Sequence, residues 1–405
     1  MRAYERLIKY VQVHTSSSED LSRTPTTERQ FDLSRMLADE MKALGLEDVF
    51  VDEHAYTYGF LPATPGCEKL PCVAFNAHLD TIPDTDFPGE NVRPVIHENY
   101  DGGDVALGES GRVLSAAGFP HLPSLKGKTL ITTDGTTVLG ADDKAGIAEI
   151  MTMCERLISD KRPHGRVAVC FSPDEEVGHG AALMDLERMA ADFGYTVDGG
   201  EPNTINFETF NAAGAFWEIR GFNVHPGSAK DTMVNASLVA MEINAMLPAA
   251  ERPEHTEDHE GFFHLTDMKG TVEKATLAYI IRDHDAASFA AREQTMRQIE
   301  KIINEKYGAG TAKLTLREQY RNMAEKLREH MEVVELAERA IEKEGLTPAR
   351  VPIRGGTDGA QLSFRGLLCP NLGTGGYACH GPCEHITAED MDTVVNILLH
   401  IVEAE

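Results

Sequence analysis

The run Pro71-Cys-Val-Ala-Phe-Asn-Ala-His78-Leu-Asp80 restricts what can surround it. Residues 72–75 are apolar and β-prone, yet the run ends by presenting a His and an Asp two residues apart. Side chains at i and i+2 of a strand point to the same side, so His78 and Asp80 face one place together. A His that binds a metal usually has its other ring nitrogen held by a carboxylate or carbonyl. Other segments repeat the pattern. Residues 166–171 form a continuous apolar run that ends at Pro173-Asp174-Glu175-Glu176, three acids that need a cation or another reason to sit together. Residues 195–197 lead into Asp198-Gly-Gly, and a turn-rich segment, 133–146, carries Asp142 and Asp143 to the start of a helix at 145–159. Strands that end in polar residues on one side predict an open α/β sheet with its ligand at their carboxyl ends.

The chain is too long for one core. Its 405 residues exceed the size at which single hydrophobic cores stop growing, so two domains are expected. The character changes near residue 211. A strand (215–220), a helix (233–246), a hairpin (262–268 and 275–282) about Lys269-Gly270, a long helix (286–306) and a last strand (313–318) follow in turn. That order, β-α-β-β-α-β, is that of a ferredoxin-like α+β unit. Residues 211–320 are therefore expected to form an inserted lid, with 1–210 and 321–405 making one catalytic domain. Two N-terminal helices, the second announced by a capping-box pattern at Thr27-Glu-Arg-Gln30, precede strands at 46–53 and 57–62. Residues 84–130 read as loops and short hairpins, 322–345 as one helix and 388–402 as the closing helix.

Charge excludes some functions. With 65 acidic against 38 basic residues the net charge is −27, which argues against a nucleic-acid partner. No apolar run approaches the ~20 residues needed to span a bilayer, and the charged N-terminus reads as an amphipathic helix, so a cytoplasmic protein is expected. Seven scattered cysteines suggest reduced thiols rather than a disulfide framework.

The candidate ligands are His78, Asp80, Asp142, Glu175 or Glu176, Asp198 and His380. Two His with several carboxylates suit zinc, manganese or cobalt, whereas calcium takes all-oxygen sites and structural zinc favours Cys. Six such residues exceed what one tetrahedral ion needs, and two ions sharing a bridging carboxylate would use them. Two ions clamp a water and lower its pKa, and an unligated carboxylate takes the proton and passes it to the leaving amine. Neighbouring side chains diverge, so one of Glu175 and Glu176 can ligate while the other stays free as base. Cys379-His380-Gly-Pro-Cys383-Glu-His385 lacks the second Cys pair of a zinc finger.

Asn76-Ala-His78-Leu-Asp80-Thr, Gly140-Ala-Asp142-Asp143-Lys144-Ala-Gly, Pro173-Asp-Glu175-Glu176-Val-Gly and Gly221-Phe-Asn-Val-His225-Pro-Gly resemble the co-catalytic zinc exopeptidases related to carboxypeptidase G. Thr196-Val-Asp198-Gly-Gly-Glu201 and Cys379-His380-Gly-Pro-Cys-Glu384 are similar to the branch that cleaves tripeptides from the amino end. The resemblance implies an α/β, mixed-sheet catalytic domain carrying the lid. It implies a metallo-aminopeptidase with two Zn2+, replaceable by Co2+ or Mn2+, acting through a metal-bridging hydroxide on tripeptides with a free N-terminus. His78, Asp142 and Asp198 would hold one ion, and Asp142, Glu176 and His380 the other, with Asp142 bridging. Asp80 would orient His78, Glu175 would be the general base, and Asp143 and Lys144 would be structural. In the lid, His225 and Asn235 would contact the substrate; Arg282 at a lid strand end, and Arg354 in a Gly loop of the catalytic domain, would anchor backbone carbonyls and the free C-terminal carboxylate. A monomer or homodimer fits equally. Dipeptidases, carboxypeptidases and N-acyl amino acid deacylases share the metals and base, and differ in lid contacts.

Overall fold

The computed structural model describes residues 1–403 as two compact units. The first comprises Met1–Phe207, Lys326–Val351 and Thr357–Glu405; the second comprises Glu208–Glu325 and Pro352–Gly356. The short piece Pro352–Gly356, expected in the catalytic domain, thus groups with the inserted segment and takes Arg354 with it.

An eight-stranded mixed sheet forms the first unit's centre, in the spatial order Glu47–Val51, Thr57–Leu61, Val167–Ser172, Val73–His78, Phe193–Val197, Asn371–Leu372, Thr204–Asn206, Ala349–Arg350. Val167–Ser172, Val73–His78 and Phe193–Val197 are adjacent and parallel. The first two are buried along their whole length, as expected for strands covered on both faces. In register, His78 lies opposite Ser172 and Asn76 opposite Thr196, so the three strands end side by side. Helices Ala141–Ser159, Ala388–Val402 and Ala3–Tyr10 supply the core side chains on one face, among them Leu7, Ile147, Ile150, Val394 and Leu398. One crossing is set by a glycine. A Cβ on Gly146 would lie 2.0 Å from the Val197 carbonyl, so only glycine lets this helix approach the strand that leads to Asp198.

In the second unit the four strands run in the order Phe262–Gly270, Lys274–Asp283, Asn211–Arg220, Ala312–Tyr320, all antiparallel. Lys274–Asp283 alternates buried and partly exposed residues, the signature of a sheet with one covered face. Trp217, Ile219, Leu277, Tyr279 and Ile281 from the sheet pack with Ala240 and Ile243 of helix Ala236–Ala245 and Met296, Ile299 and Ile303 of helix Ala286–Tyr307. This is the expected β-α-β-β-α-β order.

Three local expectations change. The hairpin turns at residues 271–273 rather than at Lys269-Gly270. The single helix read at 322–345 divides into Ala324–Leu327 and Met331–Lys343. No capping box forms at Thr27, because Gln30 Oε1, the atom that would reach back, accepts the Asp174 N–H (3.1 Å) and Thr27 Oγ1 donates to the Ser16 carbonyl. No helix among the described residues is long and apolar enough to cross a membrane.

Candidate metal centre

The strand ends bring the predicted ligands of the first unit together. His78 ends Val73–His78, Glu175 and Glu176 follow Val167–Ser172, and Asp198 follows Phe193–Val197. Asp142 and Asp143 precede the regular part of helix Ala141–Ser159: both have non-helical backbone angles. His380 sits on the loop before strand His385–Thr387.

Asp142 is at the centre. Its Oδ1 lies 3.0 Å from His78 Nε2 and its Oδ2 lies 3.2 Å from His380 Nε2, so its two oxygens face two different histidines. Glu176 Oε2 is 3.2 Å from His380 Nε2, and Asp198 Oδ1 is 3.9 Å from His78 Nε2. The ion pairs of Asp142, Glu176 and Asp198 among the described residues run to these two histidines. His78, Asp142 and Glu176 offer ligand atoms all within 4.8 Å of one another, and so do His78, Asp143 and Asp198. Asp143 has other work: it accepts the His78 N–H (3.1 Å) and the Gly146 N–H (3.3 Å), a structural use of its oxygens. Lys144 donates to the Val13 carbonyl.

The electrostatics are those of buried carboxylates crowded around two histidines. Burial pushes Asp198 up to about 8, with Asp142 adding to the rise. Glu175 is raised well above the usual carboxylate range, by burial first and then by Asp198 and other nearby acids. Burial alone would lower His78, but the Asp142 and Asp80 carboxylates raise it. His380 is pushed up to about 11 by its hydrogen bonds to Asp142 and Glu176. Burial opposes ionisation of Asp142, yet the two histidines hold it well below the usual range. Nitrogen and carboxylate donors crowded this way fit divalent transition-metal ions.

Asp80 does more than the sequence suggested. His78 Nδ1 donates to the Asp80 backbone carbonyl (3.0 Å), with the Asp80 carboxylate slightly farther at 3.5 Å. The carboxylate instead accepts the N–H groups of Glu175 (3.0 Å) and Glu176 (3.2 Å). One residue thus orients the histidine and fixes the turn that separates the two glutamates. The Glu176 side chain turns to His380, whereas the Glu175 carboxylate makes no ion pair among the described residues.

Other supports were not read from the sequence. Asp174 accepts Thr26 N–H and Oγ1–H and Gln30 Nε2, which explains the first of the three consecutive acids. Glu384 accepts the N–H groups of Gly140 (2.7 Å) and Asp142 (2.9 Å). Buried Asp358 accepts Ser172 Oγ–H (2.6 Å) and Asn76 Nδ2 (3.2 Å), tying two ligand-bearing strands together. Partners this far apart in sequence leave no local periodic signal.

The second unit holds the four residues expected to contact the substrate. His225 is exposed, and its Nδ1 accepts the Gly227 N–H. Asn235 caps helix Ala236–Ala245, its Oδ1 accepting from Ser237 and Leu238. Arg282 donates to the Ile281 carbonyl (2.9 Å) and lies over the Tyr320 ring. The Arg354 Nη atoms donate to the Thr256, Asp258 and Glu260 carbonyls and to Thr256 Oγ1, with the guanidinium over the Phe210 and Phe262 rings. Any substrate role for Arg354 requires these bonds to be exchanged.

Residues 138–404 match peptidase family M20/M25/M40. The chain belongs to that family. Across it, the chain is 50% identical over 404 residues to Peptidase T of Caldanaerobacter subterraneus subsp. tengcongensis, covering 99% of this chain and 98% of the relative. Among solved structures it is similar to aminopeptidase PepT from Bacillus cereus ATCC 10987, with a TM-score of 0.78 at 24% identity over 99% of this chain and 97% of that one. A dinuclear metal-binding M20 peptidase from Bacillus subtilis shares the fold at a TM-score of 0.64 and 14% identity, over 98% and 97% of the two chains. With full-length relatives of this identity named Peptidase T, the chain is a peptide-bond hydrolase.

Proposed function

We propose that the chain is a cytoplasmic, two-zinc aminopeptidase that removes the N-terminal residue from tripeptides. The carrying observation is Asp142, whose two oxygens face His78 and His380 separately, the disposition a bridging carboxylate needs. His78, Asp142 and Asp198 would hold one ion, and Asp142, Glu176 and His380 the other. When bound, the ions lower the pKa of a water and polarise the scissile carbonyl. Glu175, left out of the ion pairs, takes the proton from the attacking water and delivers it to the leaving amine. Asp80 holds the Glu175 backbone and the His78 ring so that base and ligand keep their separation. Close relatives named Peptidase T support the substrate class.

In the second unit, His225 and Asn235 stabilise the reacting carbonyl and Arg282 pairs with the C-terminal carboxylate. Arg354 joins them once its carbonyl partners in 256–260 are exchanged for substrate oxygens. Arg pairs with carboxylates through two parallel hydrogen bonds. Hydrogen bonds to charged groups are worth about 1.5–3 kcal/mol, so Arg282→Met should raise KM for free tripeptides about 10- to 100-fold. The same change should leave KM for C-terminally amidated tripeptides within about threefold, as measured by initial rates on both series.

A panel of di-, tri- and tetrapeptides, with free and blocked N-termini, tests the assignment. The expected result is cleavage of free tripeptides with release of the first residue, and little turnover of N-acetylated ones. Preferred release of the C-terminal residue, or of an acyl group, would replace it with a carboxypeptidase or deacylase. Tight peptide binding without cleavage in the presence of zinc would make the chain a binding protein.

A further inference from the structure

His380 is the least protected of the proposed ligands. Its side chain is 55% exposed, and its backbone φ is +65°, a left-handed conformation that a non-glycine residue keeps only when its surroundings enforce it. The enforcement comes from the neck of its loop. Tyr377 and His385 exchange both backbone hydrogen bonds, 2.9 and 3.0 Å, and so close the seven residues between them into a small hairpin.

The two rings at this neck meet a third, from a distant segment. His121 lies on Tyr377, with centroids 4.1 Å and planes 13° apart, and beside His385 in nearly the same plane, with centroids 5.1 Å and planes 7° apart. Tyr377 and His385 are themselves 5.5 Å apart at 15°, and the Phe119 ring meets His385 edge-on. The protons can be placed. His385 Nδ1 lies 2.7 Å from the Cys383 carbonyl and must donate to it. Burial lowers the His385 pKa to about 4, so the ring is neutral and its Nε2 is an acceptor. His121 Nε2, 2.8 Å away, is therefore the donor. Among the described residues, the hydrogen bonds and ring contacts of His121 run to Phe119, Ser124, Tyr377 and His385 rather than to a proposed ligand.

We propose that the His121–Tyr377–His385 ring cluster is a positioning device that holds the His380 loop and thereby sets the affinity of the metal half-site that His380 completes. The proposal rests on the two-ion reading above. Aromatic stacking supplies a rigid neck, and the His121–His385 hydrogen bond fixes its rotation. The half-site of His78, Asp142 and Asp198 takes no ligand from this loop; its link to it is the Asp142 backbone N–H, which Glu384 accepts, so it should be affected far less.

Stepwise titration of the metal-free protein with Co2+ or Zn2+, followed by calorimetry and elemental analysis, tests the device directly. In wild type two ions should bind. In His121→Ala the first should bind within about threefold of wild type, and the second at least tenfold more weakly. His121→Phe keeps the ring on Tyr377 but loses the bond to His385, so it should bind the second ion more tightly than His121→Ala and more weakly than wild type, while Tyr377→Ala should repeat the loss. Activity should follow the second ion and return at high metal concentration. Two ions bound by His121→Ala with wild-type affinities would overturn the proposal, as would equal weakening of both ions or a His121→Phe variant as weak as the alanine. A wild-type protein that binds only one ion would instead sink the two-ion reading, so the two failures are distinguishable.

Discussion

Glu175→Gln should lower kcat by about 10²- to 10⁴-fold, the usual contribution of a positioned general base, with KM and bound metal little changed. The amide keeps the shape of the side chain but cannot take a proton. The Glu175 backbone N–H is held by Asp80, and its carboxylate is not tied up in an ion pair, so the substitution disturbs no structural bond recorded there. Burial and nearby acids raise the Glu175 pKa above the usual carboxylate range, the direction that makes a carboxylate a better proton acceptor. The acid limb of the kcat–pH profile should vanish with the same substitution. Near-normal turnover in Glu175→Gln would remove this residue from the mechanism. Glu176→Gln provides the contrast: its first effect should be on metal content, because its Oε2 lies against His380.

Removing metal should abolish activity, and zinc or cobalt should restore it. The consequence for stability is more diagnostic. Asp198 held up to about 8 and His380 up to about 11 are protonated through most of the physiological range when no ion is present. Bound ions require them deprotonated, so binding releases protons. As pH falls below 8, protons compete for Asp198 and His380 and the apparent affinity declines; as pH rises from 6 to 8 it increases. Ligand at 100 times its Kd stabilises by about 2.7 kcal/mol. The gain in Tm on adding zinc should accordingly be larger at pH 8 than at pH 6, as read by calorimetric scans with and without chelator. A zinc-induced shift independent of pH, or activity that survives exhaustive chelation, would contradict the proposed centre.

Much of this was legible from local patterns. Apolar runs ending in His78, Glu175 and Asp198 follow from burial of parallel strands, and the structure places those three ends side by side. The second unit's strand and helix order was readable because each element has its own period. What escaped notice was long-range. Gln30 fitted a capping box by spacing, but a buried Asp174 144 residues away makes the stronger bond, and tertiary contact won. The bonds of Asp80 to two backbone N–H groups, of Glu384 to the Asp142 backbone and of His121 to His385 all cross loops that no window of sequence spans. Spacing alone also left Glu175 and Glu176 interchangeable; their different side-chain partners now support one assignment.

Gly146 has a wider implication. A Cβ there would meet the Val197 carbonyl at 2.0 Å and Asp143 Oδ1 at 2.6 Å. The clearance between the segment bearing Asp142 and the strand leading to Asp198 is therefore set by main chain against main chain, with no side chain as spacer. Such a gauge cannot be retuned by repacking. Gly146 is the place where one methyl group would spread two carboxylates that it never touches, which makes the spacing of the centre a property of the fold's frame rather than of its lining.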